Sequence, residues 1–143
     1  MKTKYRYILA FILIALLAVI LMWKYTFRES ETSVSDQKPE IELEASVLVE
    51  AFETDETKAN QVYLGKIIQV SGTVNSIAND SINISVYLKE NVATAGVICS
   101  FDKDNADVTR LKTGISIQIK GICTGYLMDV IMNRCSLVEV TKD

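Results

Sequence analysis

The chain has 143 residues, 49% of them apolar, with 15 lysines and arginines against 18 aspartates and glutamates and no histidine. That length and apolar content suit one folded domain, and six glycines with one proline exclude collagen-like and low-complexity architectures. The missing histidine excludes Ser-His-Asp and Cys-His nucleophiles, histidine-ligated metals and the ordinary imidazole pH switch.

Residues 7–23, YILAFILIALLAVILMW, run for seventeen positions without a charge. As a helix they span about 25 Å, enough to reach across the low end of a bilayer's hydrocarbon core. Tyr5, Tyr7, Trp23 and Tyr25 flank the run at headgroup level, and Lys2, Lys4 and Arg6 precede it, which puts the N-terminus in the cytoplasm and the remainder outside. Bulky Met22, Trp23, Lys24 and Tyr25 stand where a signal peptidase needs small residues, so residues 1–28 read as a retained signal anchor in the cell membrane. The first cysteine is Cys99, too far along for lipid attachment behind the apolar run. Residues 29–143 carry ten basic against eighteen acidic residues, a net of −8. Nucleic-acid affinity rests on clustered cations, so this exported part is a poor nucleic-acid binder.

Residues 29–39, ESETSVSDQKP, read as a polar tether, and the domain proper as 40–143. Ile41, Ala45, Leu48 and Phe52 recur at helical spacing, with Pro39 in the first turn, and Asp55 can cap a second short helix carrying Ala59, Val62 and Tyr63. After Gly65 the period becomes two. Ile68, Val70, Gly72 and Val74 alternate with polar residues as a first strand, and turn chemistry follows at 78–81. Ile82, Ile84, Val86 and Leu88 mark a second strand, and Val97, Cys99 and Phe101 a third. DKDNADVTRLKTG then predicts a short helix with Val108 and Leu111 inward and Gly114 at its end. Ile115, Ile117, Ile119, Gly121 and Cys123 form a fourth strand, Val130 to Val140 a fifth, with TGYLMD as the loop between them.

Three strands in meander, a short helix and a two-strand hairpin make the order of a five-stranded Greek-key OB-fold barrel, here with a helical lead-in and one transmembrane helix before it. Gly72 and Gly121 fall in strand interiors, where such a barrel bends. The stretch from Leu48 to Ile77, with Phe52, Glu56, Ala59, Tyr63, Gly65, Lys66, Val70, Gly72 and Val74, resembles the start of the tRNA_anti-like OB-fold family. VICSFDK at 97–103 and GICTGYLMDVIMNRC at 121–135 extend the resemblance over residues 45–140. It implies a helical lead-in, an OB barrel and bacterial membrane-anchored or lipoprotein relatives, and it assigns no activity. Asp55, where similar sequences often carry asparagine, and the missing lipid-attachment cysteine depart from the pattern.

Cys99, Cys123 and Cys135 form no Cys-x-x-Cys pair, which points away from a metal site. They read either as buried free thiols or as one bridge with one cysteine left over, Cys123 and Cys135 being the first candidates on paired strands. Asp102 and Asp104, and Asp55 and Glu56, suit helix caps better than a calcium loop. No phosphate loop or nucleophile elbow is present, so neither catalysis nor a cofactor is expected.

What remains is a binding face on strands two and three, framed by the loops between strands one and two and between four and five. It comprises Asn79, Asp80, Tyr87, Lys89, Ile98, Ser100, Tyr126, Leu127, Met128 and Asp129. Tyr126 is expected to cover the barrel mouth, and Leu127 and Met128 to meet a partner. The reading is a membrane-tethered extracytoplasmic module for a protein or saccharide of the cell envelope, with single-stranded nucleic acid as the alternative ligand.

Overall fold

The computed structural model describes residues 12–22, 34–90, 93–105 and 107–141, and the chain divides into two units, Met1–Thr32 and Ser33–Asp143. In the first unit residues 12–22 are helical (α1), and their large apolar side chains, from Ile12 to Met22, are all exposed. Among the described residues no helix is long and apolar enough to cross a membrane. Residues 7–11 and 23, the rest of the expected span, lie outside the described residues.

In the second unit the backbone runs β1 (Ile41–Glu44), α2 (Ala45–Thr54), α3 (Glu56–Tyr63), β2 (Ile67–Asn79), β3 (Asn83–Leu88), β4 (Val97–Asp102), β5 (Ser116–Leu127) and β6 (Asp129–Thr141). The long strand β2 has two partners. Ile67–Thr73 pair with β5 and Val74–Asn79 with β3, the change being marked by a bulge between Val74 and Ser76. β3 pairs with β4, β4 runs parallel to β6, and β6 pairs with β5, so the five strands β2 to β6 close into a barrel with the OB order. Alternation fills it: Ile68, Val70, Val74, Ile84, Val86, Leu88, Val97, Cys99, Phe101, Ile117, Ile119 and Cys123 are all buried in one core.

Four local expectations are corrected. The lead-in helix begins at Ala45 rather than near Ile41, because Ile41–Glu44 extend along β2 in parallel, with the Glu40 N–H donating to the Ile67 carbonyl at 2.8 Å. The pairing satisfies backbone groups that a helix there would have left to water. The expected helix between the third and fourth barrel strands is a single 3-10 turn, Val108–Arg110. The Asn105 side chain accepts from the Asp107 N–H at 3.2 Å, an Asx turn that competes with a helical start, although Val108 is buried as expected. Ile82, expected to continue the apolar face of the second strand, is 76% exposed, because the Asp80 carboxylate accepts from both Ile82 N–H and Asn83 N–H at 2.7 Å and shapes a turn there. Finally, most of TGYLMD is strand, for β5 extends to Leu127 and β6 starts at Asp129. By contrast, the Asp55 side chain does cap α3, accepting from the Lys58 N–H at 3.0 Å.

Part of the segment expected to be a tether lies on the barrel. Val34 is 4% exposed in a 3-10 turn, Val34–Asp36, packed on β5 and β6. Lys120, on the outer face of β5, is only 8% exposed and donates its ammonium to the carbonyls of Ser35 at 2.8 Å and Gln37 at 2.6 Å. Charge-assisted hydrogen bonds of this kind offset the cost of burying the lysine. Lys120→Met should therefore lower unfolding free energy by about 1.5–3 kcal/mol. It should also open the bonds around residue 35 to protease, both measured by denaturant titration and timed proteolysis.

Candidate functional site

The outer face of the β3–β4 pair is read from the burial alternation. Ile84, Val86 and Leu88 point inward, so Ser85 and Tyr87 face out, opposite Ser100 and Ile98 respectively. Tyr87, Lys89 and Ser100 are each half-buried. The Lys89 ammonium stands 6.0 Å from the Tyr87 ring centroid, the outer limit of a cation–π contact, and donates to the Thr94 carbonyl at 3.1 Å. Asn79 and Asp80 lie at the β2–β3 turn, where the two backbone N–H groups hold the Asp80 carboxyl below its ordinary range.

The β5–β6 hairpin approaches this face and is fastened to it through one carboxylate. Asp129 Oδ1 accepts from the Tyr87 hydroxyl and from the Gly96 N–H, both at 2.8 Å, and the Gly96 carbonyl accepts from the Val130 N–H at 3.0 Å. Gly96 is required for this closeness, since a Cβ there would stand 2.5 Å from the Leu88 carbonyl oxygen and 2.7 Å from the Tyr87 ring. Tyr87 is pushed up to about 12, chiefly by burial and then by the hydrogen bond and charge of Asp129. Thus the geometry uses Tyr87 and Asp129, both candidate ligand contacts, to hold the hairpin.

On its other side the hairpin leans on α2. The Tyr126 ring stacks on Phe52, centroids 5.4 Å apart and planes 19° apart, and Phe52 in turn meets Tyr63 at 6.0 Å. Phe52 is fully buried and Tyr126 half-buried. Partial burial raises the Tyr126 hydroxyl, as do the negative charges of Glu53, Asp129 and Glu56. Beyond Tyr126 the chain turns at Leu127 and Met128, which are 79% and 81% exposed, and Met128 adopts φ +68°. That left-handed conformation favours glycine or asparagine.

All three cysteines are free and buried. Cys123 aligns with Met132 across the hairpin, and the thiol beside Cys135 is that of Cys99. Cys135 and burial together push Cys99 well up, and burial raises Cys123. Among the described residues no group of three or more cysteines, aspartates and glutamates is placed to hold a metal ion. A cleft of about 290 Å³ opens between α2 and the loop after β3, lined by Ser46, Glu50, Thr73, Lys89 and Thr94 among others. The sequence reading missed it, because residues from α2, β2 and the loop meet there only in the fold. Gly96 was missed for the same reason.

A closed OB barrel with an acidic lead-in helix and an apolar hairpin tip defines a small OB-fold domain. The chain belongs to the tRNA_anti-like family, whose model matches residues 1–137. Its structure is similar to that of a proposed nucleic acid-binding lipoprotein from Klebsiella pneumoniae subsp. pneumoniae, at 20% identity and TM-score 0.62 over 78% of this chain and 100% of that one. More distant similarity extends to the Stn1–Ten1 complex of S. pombe, at 13% identity and TM-score 0.45 over 54% of this chain and 59% of that one. An OBody bound to hen egg-white lysozyme matches at 17% identity and TM-score 0.44, over 56% of this chain and 80% of that one. At such identities the similarity shows the fold. No curated protein matches the chain.

The raised Tyr87 favours the neutral phenol in the fold, so its contribution is complete below about pH 10 and is lost as pH rises toward about 12. The stability difference between wild type and Tyr87→Phe, about 1 kcal/mol at neutral pH, should shrink across that window in pH-dependent denaturant melts. At the tip, Leu127→Ser should stay within about 0.5 kcal/mol of wild type. Met128→Gly should change nothing or add up to about 1 kcal/mol as strain is relieved against glycine's chain entropy. Phe52→Ala, by comparison, should cost about 3–5 kcal/mol in the same titrations.

Proposed function

We propose that the protein is a membrane-tethered, extracytoplasmic OB-fold module that binds a protein or saccharide partner in the cell envelope. The observation that carries binding is the hairpin tip: Leu127 and Met128 stand in water on a hairpin held at both flanks, beside a face presenting Tyr87, Lys89 and Ser100. Solvent-facing apolar groups on a firmly held support are characteristic of contact surfaces. The uncharged run at 7–23, with cations before it, supports the tether and the outward orientation. The exposed apolar side chains of α1 agree with a helix that needs lipid around it.

A second reading, single-stranded nucleic acid on the β3–β4 face, draws on the description of the Klebsiella lipoprotein. Its electrostatics oppose it here. Lys89 and Lys103, the cations beside that face and its turn, are engaged with the carbonyls of Thr94 and Ser81, and residues 29–143 carry a net −8 from ten basic and eighteen acidic residues.

A reporter active only outside the cytoplasm, fused after Asp143, should be active and stay with the membrane fraction after a high-salt wash. Release of a smaller soluble species would refute the anchor. At low salt the protein should show no micromolar association with oligonucleotides, and salt-sensitive binding would instead establish the second reading.

A further inference from the structure

The exposed pair Leu127 and Met128 sits where turn chemistry ordinarily places glycine, asparagine or aspartate. Met128 holds φ +68°, and the two side chains are more exposed than any other large apolar residue among those described. Neither feature benefits the isolated domain. The support beneath them is nonetheless rigidly fastened, by the Tyr126–Phe52 stack on one side and by Asp129 with Tyr87 and Gly96 on the other. A preorganised projection loses little freedom when a partner closes over it. Three carboxylates lie near its base, for Glu53 and Glu56 are exposed and, with Asp129, act on the Tyr126 hydroxyl there.

We propose that Leu127 and Met128 form a knob that enters an apolar socket on a protein partner whose lysines or arginines face Glu53 and Glu56. This rests on the binding-module reading above and names its contact point and partner class. Saccharides are held by aromatic platforms and hydrogen-bonding groups, and two aliphatic side chains supply neither. Phosphates of an oligonucleotide or an anionic bilayer would be repelled by the same carboxylates. A basic-rimmed socket on a protein satisfies both the apolar tip and the surrounding charge, and electrostatic attraction would speed the encounter.

The test uses the full chain in detergent micelles to select from a random displayed peptide library, with a random single-stranded oligonucleotide pool selected in parallel. Enriched peptides should combine Leu, Ile, Phe or Met with Lys or Arg. They should bind at least about tenfold more weakly to the double variant Leu127→Ser, Met128→Ser and to Glu53→Gln, Glu56→Gln. Raising salt to about 0.5 M should weaken them too. Thermal melts confirm that each variant is folded, and Met128→Gly, which relieves backbone strain while removing the side chain, should also weaken binding. Enrichment of acidic peptides, tip-dependent enrichment of oligonucleotides, no enrichment at all, or peptides indifferent to the tip variants would overturn the knob. Peptides indifferent to the tip but lost on Lys89→Ala would overturn it while leaving the binding-module reading standing. A cytoplasmic reporter result would remove the extracytoplasmic placement without touching this selection.

Discussion

Closing five strands into a barrel requires one strand to serve two partners in succession, and β2 is that strand. Its first half pairs with β5 and its second with β3, so the backbone must turn sharply between them. Gly72, just before the change of partner, lets the start of α2 come close, because Ala45 Cβ would lie only 3.1 Å from any Cβ at that position. The division leaves the first half of β2 with an open edge, and Ile41–Glu44 cover it as a parallel strand. Covering the edge removes a site for unwanted strand pairing. It also aims α2, which starts at the next residue, so that Leu48 and Phe52 reach the barrel core with no exposed surface left to speak of.

That placement of Phe52 governs how the β5–β6 hairpin is held. The ring from α2 gives Tyr126 its stacking partner, and Asp129 links the hairpin to β3 through the Tyr87 hydroxyl. One carboxylate oxygen receiving a hydroxyl and a backbone N–H is an economical way to join three segments distant in sequence, and its hydrogen bonds are charge-assisted. The consequence is that Tyr87 and Asp129, two of the candidate ligand contacts, also hold the support in place. Leu127 and Met128, the two beyond the fastening, stand almost fully in water.

Charge is distributed unevenly over this scaffold. Lys120 is committed to the strap at Ser35 and Gln37, and Lys89 and Lys103 are committed to nearby carbonyls, whereas Glu53 and Glu56 stand exposed beside the tip. The fold is shared with nucleic-acid binders, and the site decides the ligand.

The sequence alone determined the strands, because period-two alternation at Ile68 to Val74, Ile84 to Leu88, Val97 to Phe101 and Ile117 to Cys123 reports which side chains avoid water whatever their partners. It also determined the cap at Asp55, a contact spanning three residues, and the OB order. Other features turned on contacts between residues far apart in the chain. Ile41–Glu44 read as the start of a helix until β2 offered an unpaired edge, and nothing local to Lys120 announces that residues 34–37 lie across it. The division of roles between Asp129 and Met128, neighbours in sequence, was likewise decided by the tertiary structure. Only the approach of Tyr87 and Gly96, 42 and 33 residues away, turns one into a fastening and leaves the other in water. Local periodicity records burial, but a hydrogen bond between distant segments leaves no period in the sequence to read.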